Sequence, residues 1–196
     1  MKTIVWDVDD VLNDLARAWF ETWRAGYPSC PVSYDELKQN PHHEILGITM
    51  DEYLESLDTF RLSPSYQDML PTREVTDWFI QNGVRFHHSV LTAVPLRAAS
   101  VSAQWVFRHF GVWIRTFHFV PSGRTGEIIP QYDQNKAEFL KRMSVVDLFI
   151  DDNAMNAESA RRAGINTLLF PRPWNENSAT VTETLDRIEP LLAQKE

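Results

Sequence analysis

The chain has a single cysteine, Cys30, which rules out an internal disulfide framework and suits a reducing compartment. Cys30 sits in a Tyr27-Pro28-Ser29-Cys30-Pro31 turn, the setting of a bystander rather than of a nucleophile. No run of about 18 apolar residues occurs, so no membrane-spanning helix is expected. The N-terminus lacks the charged, apolar and small-residue blocks of a secretory signal, and a soluble cytoplasmic protein is expected. Positive charge is also short. The net charge of −8 argues against a nucleic-acid polymer or an anionic membrane surface as partner. A small phosphorylated ligand stays compatible with that charge, because a bound cation inverts the local field. Neither internal repeats nor low-complexity segments are present.

What the chain does have is enough apolar material for one full core. Its 196 residues are 43% hydrophobic and 23% charged, with seven tryptophans and eleven phenylalanines. That length holds one core, or a core with a modest insertion. The stretch Ile4-Val5-Trp6-Asp7-Val8-Asp9-Asp10-Val11-Leu12 begins as a strand buried on both faces and ends in three acids. In extended chain Asp7 and Asp9 point the same way and Asp10 points away. Two carboxylates side by side at a strand tip invite a cation, since burying charge uncompensated is expensive. The competing reading of this stretch alone is a solvated acidic turn, with Asp10 or Asn13 capping the next helix.

Apolar spacing predicts a helix from Leu12 to about Arg24. From Pro31 to Pro71 only short helical pieces are expected, Tyr34 to Gln39 and Met50 to Asp58, with no strand. After Pro71 helices and strands alternate. Helices are expected over Glu74–Gln81, Leu96–Phe110, Asn135–Met143 and Ala154–Ala163, and a last one runs from Ser178 or Thr180 to about Gln194. Strands are expected over Val84–Leu91, Val112–Val120, Val145–Ile150 and Thr167–Phe170. This alternation implies an α/β protein with a doubly wound parallel sheet. Residues 1–14 and 71–196 would form its core domain, and residues 15–70 a helical insertion.

In such sheets ligands bind beyond the carboxyl ends of the strands. Four polar groups arrive there in register: Asp7-Val8-Asp9, then Leu91-Thr92-Ala93, then Lys136 at a helix start, then Asp151-Asp152-Asn153. Carboxylates, a hydroxyl and an ammonium suit phosphoryl transfer around Mg²⁺. Asp7, Asp152 and a backbone carbonyl near Asp9 are hard oxygen ligands. Asp7 would attack phosphorus, and Asp9 would serve as acid and then base. Thr92, the amides around Ala93 and Lys136 would hold the phosphate.

In order and spacing, Asp7-Val8-Asp9-Asp10-Val11, Thr92, Lys136 and Asp151-Asp152-Asn153-Ala154-Met155-Asn156 resemble the four motifs of the haloacid dehalogenase (HAD) superfamily. The resemblance covers about residues 1–14 and 71–172. It implies Asp7 as nucleophile, Asp9 as acid/base, Thr92 and Lys136 as phosphate ligands, and Asp152 as metal ligand with Asp151 supporting. Asp10 stands where the family's motif carries glycine. Residues 15–70 fall where the family places its C1 cap, the segment that selects substrate. Two aspartates in the first motif favour a phosphatase over a dehalogenase. Within the superfamily the chain looks most like the 5'-nucleotidase and deoxyribonucleotidase branch. The signs are the short helical cap, a proline-led helix before the second motif and Pro173-Trp174-Asn175.

Other residues carry weaker expectations. Trp19, Phe20, Tyr53, Phe60 and Tyr66 are candidates to stack on a base, although aromatics at helical spacing usually belong to a core. His42-His43 reads as cap surface, while one of His87-His88 reads as core, because adjacent residues do not face one metal. Arg97 could reach an anion or lie on a solvated helix face. The loop Arg124 to Asp133 could close the site or meet another subunit, and Asp133 could cap the Lys136 helix. A phospho-receiver module is disfavoured by the late second acid pair and the long insertion. A phosphonate-cleaving enzyme would need a cap lysine, and Lys38, the only one, has nothing around it to activate it. A silent binding scaffold and a sugar-phosphate phosphatase remain as alternatives to a nucleotidase. The oligomeric state is left open.

Overall fold

The computed structural model describes residues 1–193. The opening apolar run forms β1 (Thr3–Trp6), with Ile4, Val5 and Trp6 wholly buried. Each fully buried large apolar side chain is worth about 1.5–3 kcal/mol relative to exposure. β1 is therefore an anchor for everything attached to its end. Next come α1 (Leu15–Gly26), a short 3₁₀ turn at Tyr34–Glu36, α2 (His43–Leu46), α3 (Met50–Arg61) and α4 (Pro64–Gln67). No described residue of 15–70 lies in a strand, as expected of a helical insertion. α1 turns Leu15, Ala16, Trp19 and Phe20 inward at helical spacing. α3 starts at a reciprocal capping box between Thr49 and Glu52.

The alternating part follows: α5 (Arg73–Asn82), β2 (His87–Val94), α6 (Leu96–Phe110), β3 (Ile114–Pro121), α7 (Lys136–Arg142), β4 (Leu148–Asp151), α8 (Ala154–Arg162), β5 (Thr167–Leu169), α9 (Val181–Leu185) and α10 (Ile188–Ala193). The five strands are parallel and ordered β3-β2-β1-β4-β5. β1 is central, and the winding reverses there, between β1 and β4. That reversal opens a crevice at the carboxyl edge of the sheet, flanked by Asp7 and Asp151. Side chains alternate across the sheet. Ile4, Trp6 and Ile150 join a core that runs through Trp19, Phe20, Tyr53 and Phe60 of the helical insertion. Val5 and Phe149 join a smaller cluster on the other face, with Leu91 and Leu140. No described helix is long and apolar enough to cross a membrane.

Several boundaries differ from expectation for local reasons. The first helix starts at Leu15 rather than Leu12, because the Val8 carbonyl collects the amides of Val11, Leu12 and Asn13 in a loop. Both proposed caps operate there: Asp10 accepts from the Ala16 amide and Asn13 from the Leu15 amide. β2 begins at His87 because Gly83–Arg85 make a 3₁₀ turn, and it extends to Val94, so Thr92 and Ala93 lie within it. Asn135 rather than Asp133 caps α7, accepting from the Glu138 amide, while Asp133 pairs with Arg142. The last helix is two short pieces, the first capped by Thr180; its expected end at Gln194 lies outside the described residues.

Candidate active site

The three acids of the first motif do not stay in extended chain. β1 ends at Trp6, and the following loop sends Asp7 and Asp9 to different partners, although both line one cavity. Extended chain therefore does not continue past Trp6 as expected, although both carboxylates face the cavity. The Asp7 amide still donates to the Ile150 carbonyl at 2.9 Å, which ties the residue to β4. Its Oδ1 accepts from the Val8 amide at 2.8 Å, and its Oδ2 lies 2.5 Å from Lys136 Nζ. Lys136 is buried at the start of α7 and bridges to Asp151 Oδ2 at 2.7 Å. Burial alone would depress its pKa, but the charges of Asp151 and Asp7 win and raise it, so the ammonium persists.

Asp151 is saturated. Besides Lys136, its oxygens accept from the Asn153 amide at 2.8 Å and from Asn156 Nδ2 at 3.2 Å. Its neighbour Asp152 accepts from Trp174 Nε1 at 2.7 Å on Oδ2, and its carbonyl accepts from Asn175 Nδ2 at 2.7 Å. Carboxylate oxygens of Asp7, Asp151 and Asp152 lie within 4.8 Å of one another. Three acids against one ammonium leave a local excess of negative charge. Burial, followed by neighbouring charge, lifts the Asp7 carboxyl to about 8 and Asp152 well above the carboxylate range. An all-oxygen, electron-rich set of this kind fits Mg²⁺. Asp7 and Asp152 are the residues with carboxylate oxygen to offer it, and Asp151 orients Lys136. The carboxylate of Asp9 is not part of this set.

Asp9 instead faces the helical insertion. Its Oδ2 accepts from Arg61 Nε at 3.1 Å, and Nη2 of the same guanidinium lies 3.0 Å from it as an ion pair. Its Oδ1 accepts from Tyr66 Oη at 3.1 Å and Asn13 Nδ2 at 3.2 Å. Thr92, almost fully buried, and Ala93 complete the floor with Asn153 and Asn156. The cavity encloses about 310 Å³, and Asn40, His42, Tyr53, Leu57 and Arg61 cover it from the helical side. A larger groove of about 710 Å³ lies elsewhere, between α1 and α3, lined by Trp19, Trp23, Tyr27 and Phe60. None of the motif acids reaches that groove, so the smaller, polar cavity is the one with chemistry.

No family model and no curated protein matches the chain. Solved structures do match. A haloacid dehalogenase-like hydrolase of Streptococcus pneumoniae superposes with a TM-score of 0.61 at 11% identity, over 94% of this chain and 90% of that one. The fold is that of the haloacid dehalogenase-like hydrolases. A putative phosphoglycolate phosphatase of Lactobacillus delbrueckii gives 0.58 at 14% identity, over 95% and 97% of the two chains. The Protein Tyrosine Kinase A of Mycobacterium tuberculosis gives 0.63 at 15% identity, over 97% of each. None of these three carries a nucleotidase name.

The HAD-like fold explains the departure at Asp10. Its φ is +64°, a left-handed conformation that glycine adopts freely and aspartate tolerates better than most residues. Asp10 keeps that conformation and adds a bond to the Ala16 amide at 2.8 Å. Other expectations need correction. His42 is not cap surface: its ring is buried against Trp19 and Trp174, its Nδ1 lies 2.6 Å from the Gln39 carbonyl, and burial lowers its pKa to about 4. Of the five aromatics considered for base stacking, only Tyr53 lines the cavity; Trp19 and Phe60 line the outer groove, and Tyr66 spends its hydroxyl on Asp9. Arg97 lies on the exposed face of α6, as the solvated-face reading expected, and there it pairs with Glu55 and Asp58 rather than entering the cavity. The expected core histidine is His88, held between Trp6 Nε1 and the Gly83 carbonyl.

Sequence reasoning missed Arg61 and Asp58 altogether, and named Tyr66 and Asn13 without their bonds to Asp9. Only the Asp58–Arg61 spacing, one helical turn, hinted at a pair. Trp174 and Asn175 had been noted as a motif-like step, without the role in fixing Asp152 that they perform.

Proposed function

We propose that the protein is a Mg²⁺-dependent phosphatase that hydrolyses a small phosphomonoester through an aspartyl-phosphate on Asp7. The observation that carries this reading is the Lys136 ammonium, buried between Asp7 and Asp151 in one cavity with Asp152, Thr92 and Asp9. Bound Mg²⁺ supplies charge neutralisation of phosphate and carboxylates together. Asp7 and Asp152 would hold it, with a backbone carbonyl near Asp9 as a further oxygen donor.

The remaining steps belong to the chain. A carboxylate oxygen of Asp7 attacks phosphorus; its new P–O bond forms as the bond to the leaving alcohol breaks. Asp9 gives its proton to the departing oxygen. It then takes a proton from water, which attacks phosphorus and releases inorganic phosphate with the Asp7 carboxylate restored. Lys136, the Thr92 hydroxyl and amides near Ala93 balance the charge spread over the phosphoryl oxygens.

The segment 15–70 serves as the substrate-selecting cap. A cavity of about 310 Å³ sits at the small end of ligand pockets. Its cap wall is polar and mostly neutral, since Arg61 is already paired. Both facts support a compact hydroxylated leaving group over a nucleoside, with Tyr53 the single ring placed for a base. The test is phosphate release from p-nitrophenyl phosphate, small sugar and polyol phosphates and nucleoside monophosphates, with Mg²⁺ or with chelator. Turnover should need Mg²⁺ and vanish in Asp7→Asn. Undiminished turnover in that variant would sink the reading, and no turnover of any monoester would favour a binding scaffold.

A further inference from the structure

Asp9, the acid/base of the proposed reaction, accepts three side-chain hydrogen bonds, and its cationic partner is the cap residue Arg61. Arg61 is a buried guanidinium whose Nε donates to Asp9 Oδ2 at 3.1 Å and whose Nη2 lies 3.0 Å from the same oxygen. Its Nη1 donates to Asp58 Oδ1 at 3.2 Å. Asp58 is wholly buried on α3 and collects two further guanidinium groups from outside the cap. Arg124, just past β3, donates through Nε at 2.6 Å and Nη2 at 2.8 Å. Arg97, on α6, donates through Nη2 at 2.9 Å. A continuous chain of charge-assisted bonds thus runs from the sheet side of the molecule, through a cap carboxylate, to the acid/base.

The two oxygens of Asp9 are not equivalent. Oδ2 is gripped by a cation, whereas Oδ1 takes only neutral donors, Tyr66 Oη and Asn13 Nδ2. Tyr66 Oη also lies 3.3 Å from Ser102 Oγ, so its O–H has a second acceptor when Oδ1 carries a proton. The geometry points to Arg61 as the positioning residue of Asp9: it fixes Oδ2, leaves Oδ1 as the oxygen that exchanges the proton, and is itself set by Asp58 through Arg97 and Arg124. Asp9 then works as an acid only while the cap is seated on those two arginines.

This inference rests on the phosphatase reading, and leaving-group chemistry separates the two. Departure of p-nitrophenolate needs little protonation, whereas an alkoxide needs the acid. The measurement is kcat/KM for p-nitrophenyl phosphate and for glycerol phosphate, in the full-length protein with Mg²⁺. General acid–base catalysis is worth about 10²–10⁴-fold. Partial loss of positioning in Arg61→Met should therefore cut the glycerol phosphate value by about 10–100-fold and move the aryl value less than about threefold. Arg61→Lys, which restores a point charge, should recover part of the ratio. Arg97→Met and Arg124→Met should shift the ratio the same way by a smaller factor.

Arg61→Met leaves Asp58 paired with both core arginines, and folding is checked by its unfolding midpoint; if it does not fold, the lysine variant carries the same comparison. Equal losses on both substrates would overturn the inference, because a structural or phosphate-binding role does not discriminate leaving groups. An unchanged ratio in the Arg97 and Arg124 variants would overturn the cap-seating half. A wild-type protein inactive on both esters would instead refute the phosphatase reading.

Discussion

Trp174→Phe tests whether the acid cluster is built for a divalent cation. Trp174 Nε1 donates to Asp152 Oδ2 at 2.7 Å, and its ring packs 4.9 Å from His42 and 6.2 Å from Tyr34. Phenylalanine keeps the packing and removes the donor, so the carboxylate keeps its place in the chain and loses its orientation. Outer bonds of this kind are worth about 10–100-fold in metal affinity. The measurement is stability to urea, with and without Mg²⁺, in the absence of any substrate. At a Mg²⁺ concentration about 100 times the wild-type Kd, mass action stabilises the fold by about 2.7 kcal/mol. A Kd weakened tenfold leaves about 1.4 kcal/mol of that, and one weakened a hundredfold leaves about 0.4 kcal/mol. The variant should therefore show about half of the wild-type Mg²⁺ effect or less, with its metal-free stability changed far less. If it retains the whole effect, Trp174 does not orient a metal ligand. If the wild type shows no Mg²⁺ effect at all, the cluster does not hold the ion.

Two further outcomes follow from buried charge. Lys136→Met removes the one cation between Asp7 and Asp151 and should cost about 3–5 kcal/mol in the metal-free protein at neutral pH, read from urea unfolding. An unchanged midpoint would mean that the carboxylates, not the lysine, organise the site. His88, whose pKa burial lowers to about 4, is neutral when folded and takes up a proton on unfolding below about pH 6.5. It therefore contributes stability above that pH and loses it as pH falls toward 4, at up to about 1.4 kcal/mol per pH unit. Asp7 and Asp10, raised to about 8 and about 7, work in the opposite direction. The histidine contribution is accordingly read as the difference between wild type and His88→Gln, which should narrow between pH 6.5 and 4. A difference independent of pH would show that His88 is already protonated in the folded state.

The sheet and the motif residues could be read from the chain because their signals are local. Apolar runs ending in Asp7, Thr92 and Asp151, and Lys136 opening a helix, each follow from strand and helix periods, and parallel winding brings those ends together. What could not be read was anything fixed by the cap's packing. Nothing in the periodicity of α3 says that Arg61 reaches Asp9, fifty-two positions earlier. His42 looked solvated because a histidine pair in a polar stretch usually is; only the approach of Trp19 and Trp174 buries it. Asp7 and Asp9 were expected to project together because extended chain dictates it. The chain leaves that conformation at Trp6, and the left-handed Asp10 completes the turn. Trp174 marks an intermediate case, visible as a pattern while its partner Asp152 was not.

The central place of β1 has a consequence for how the protein is made. Thr3 pairs with His87 and Ile4 with Leu148, so β1 leaves the ribosome long before either neighbour. At about 5–20 residues per second, β1 waits several seconds for β2, and longer for β4. During that wait, Ile4, Val5 and Trp6 have no sheet to enter, and the apolar surface made before β2 is that of the helices of residues 15–70 and of α5, whose Trp78 and Phe79 pack on Trp6. The helices that wall the candidate cavity are thus also part of the first shelter of the strand beneath them. Mutations that loosen these helices should be felt first as lost yield during synthesis, before any change in the finished molecule.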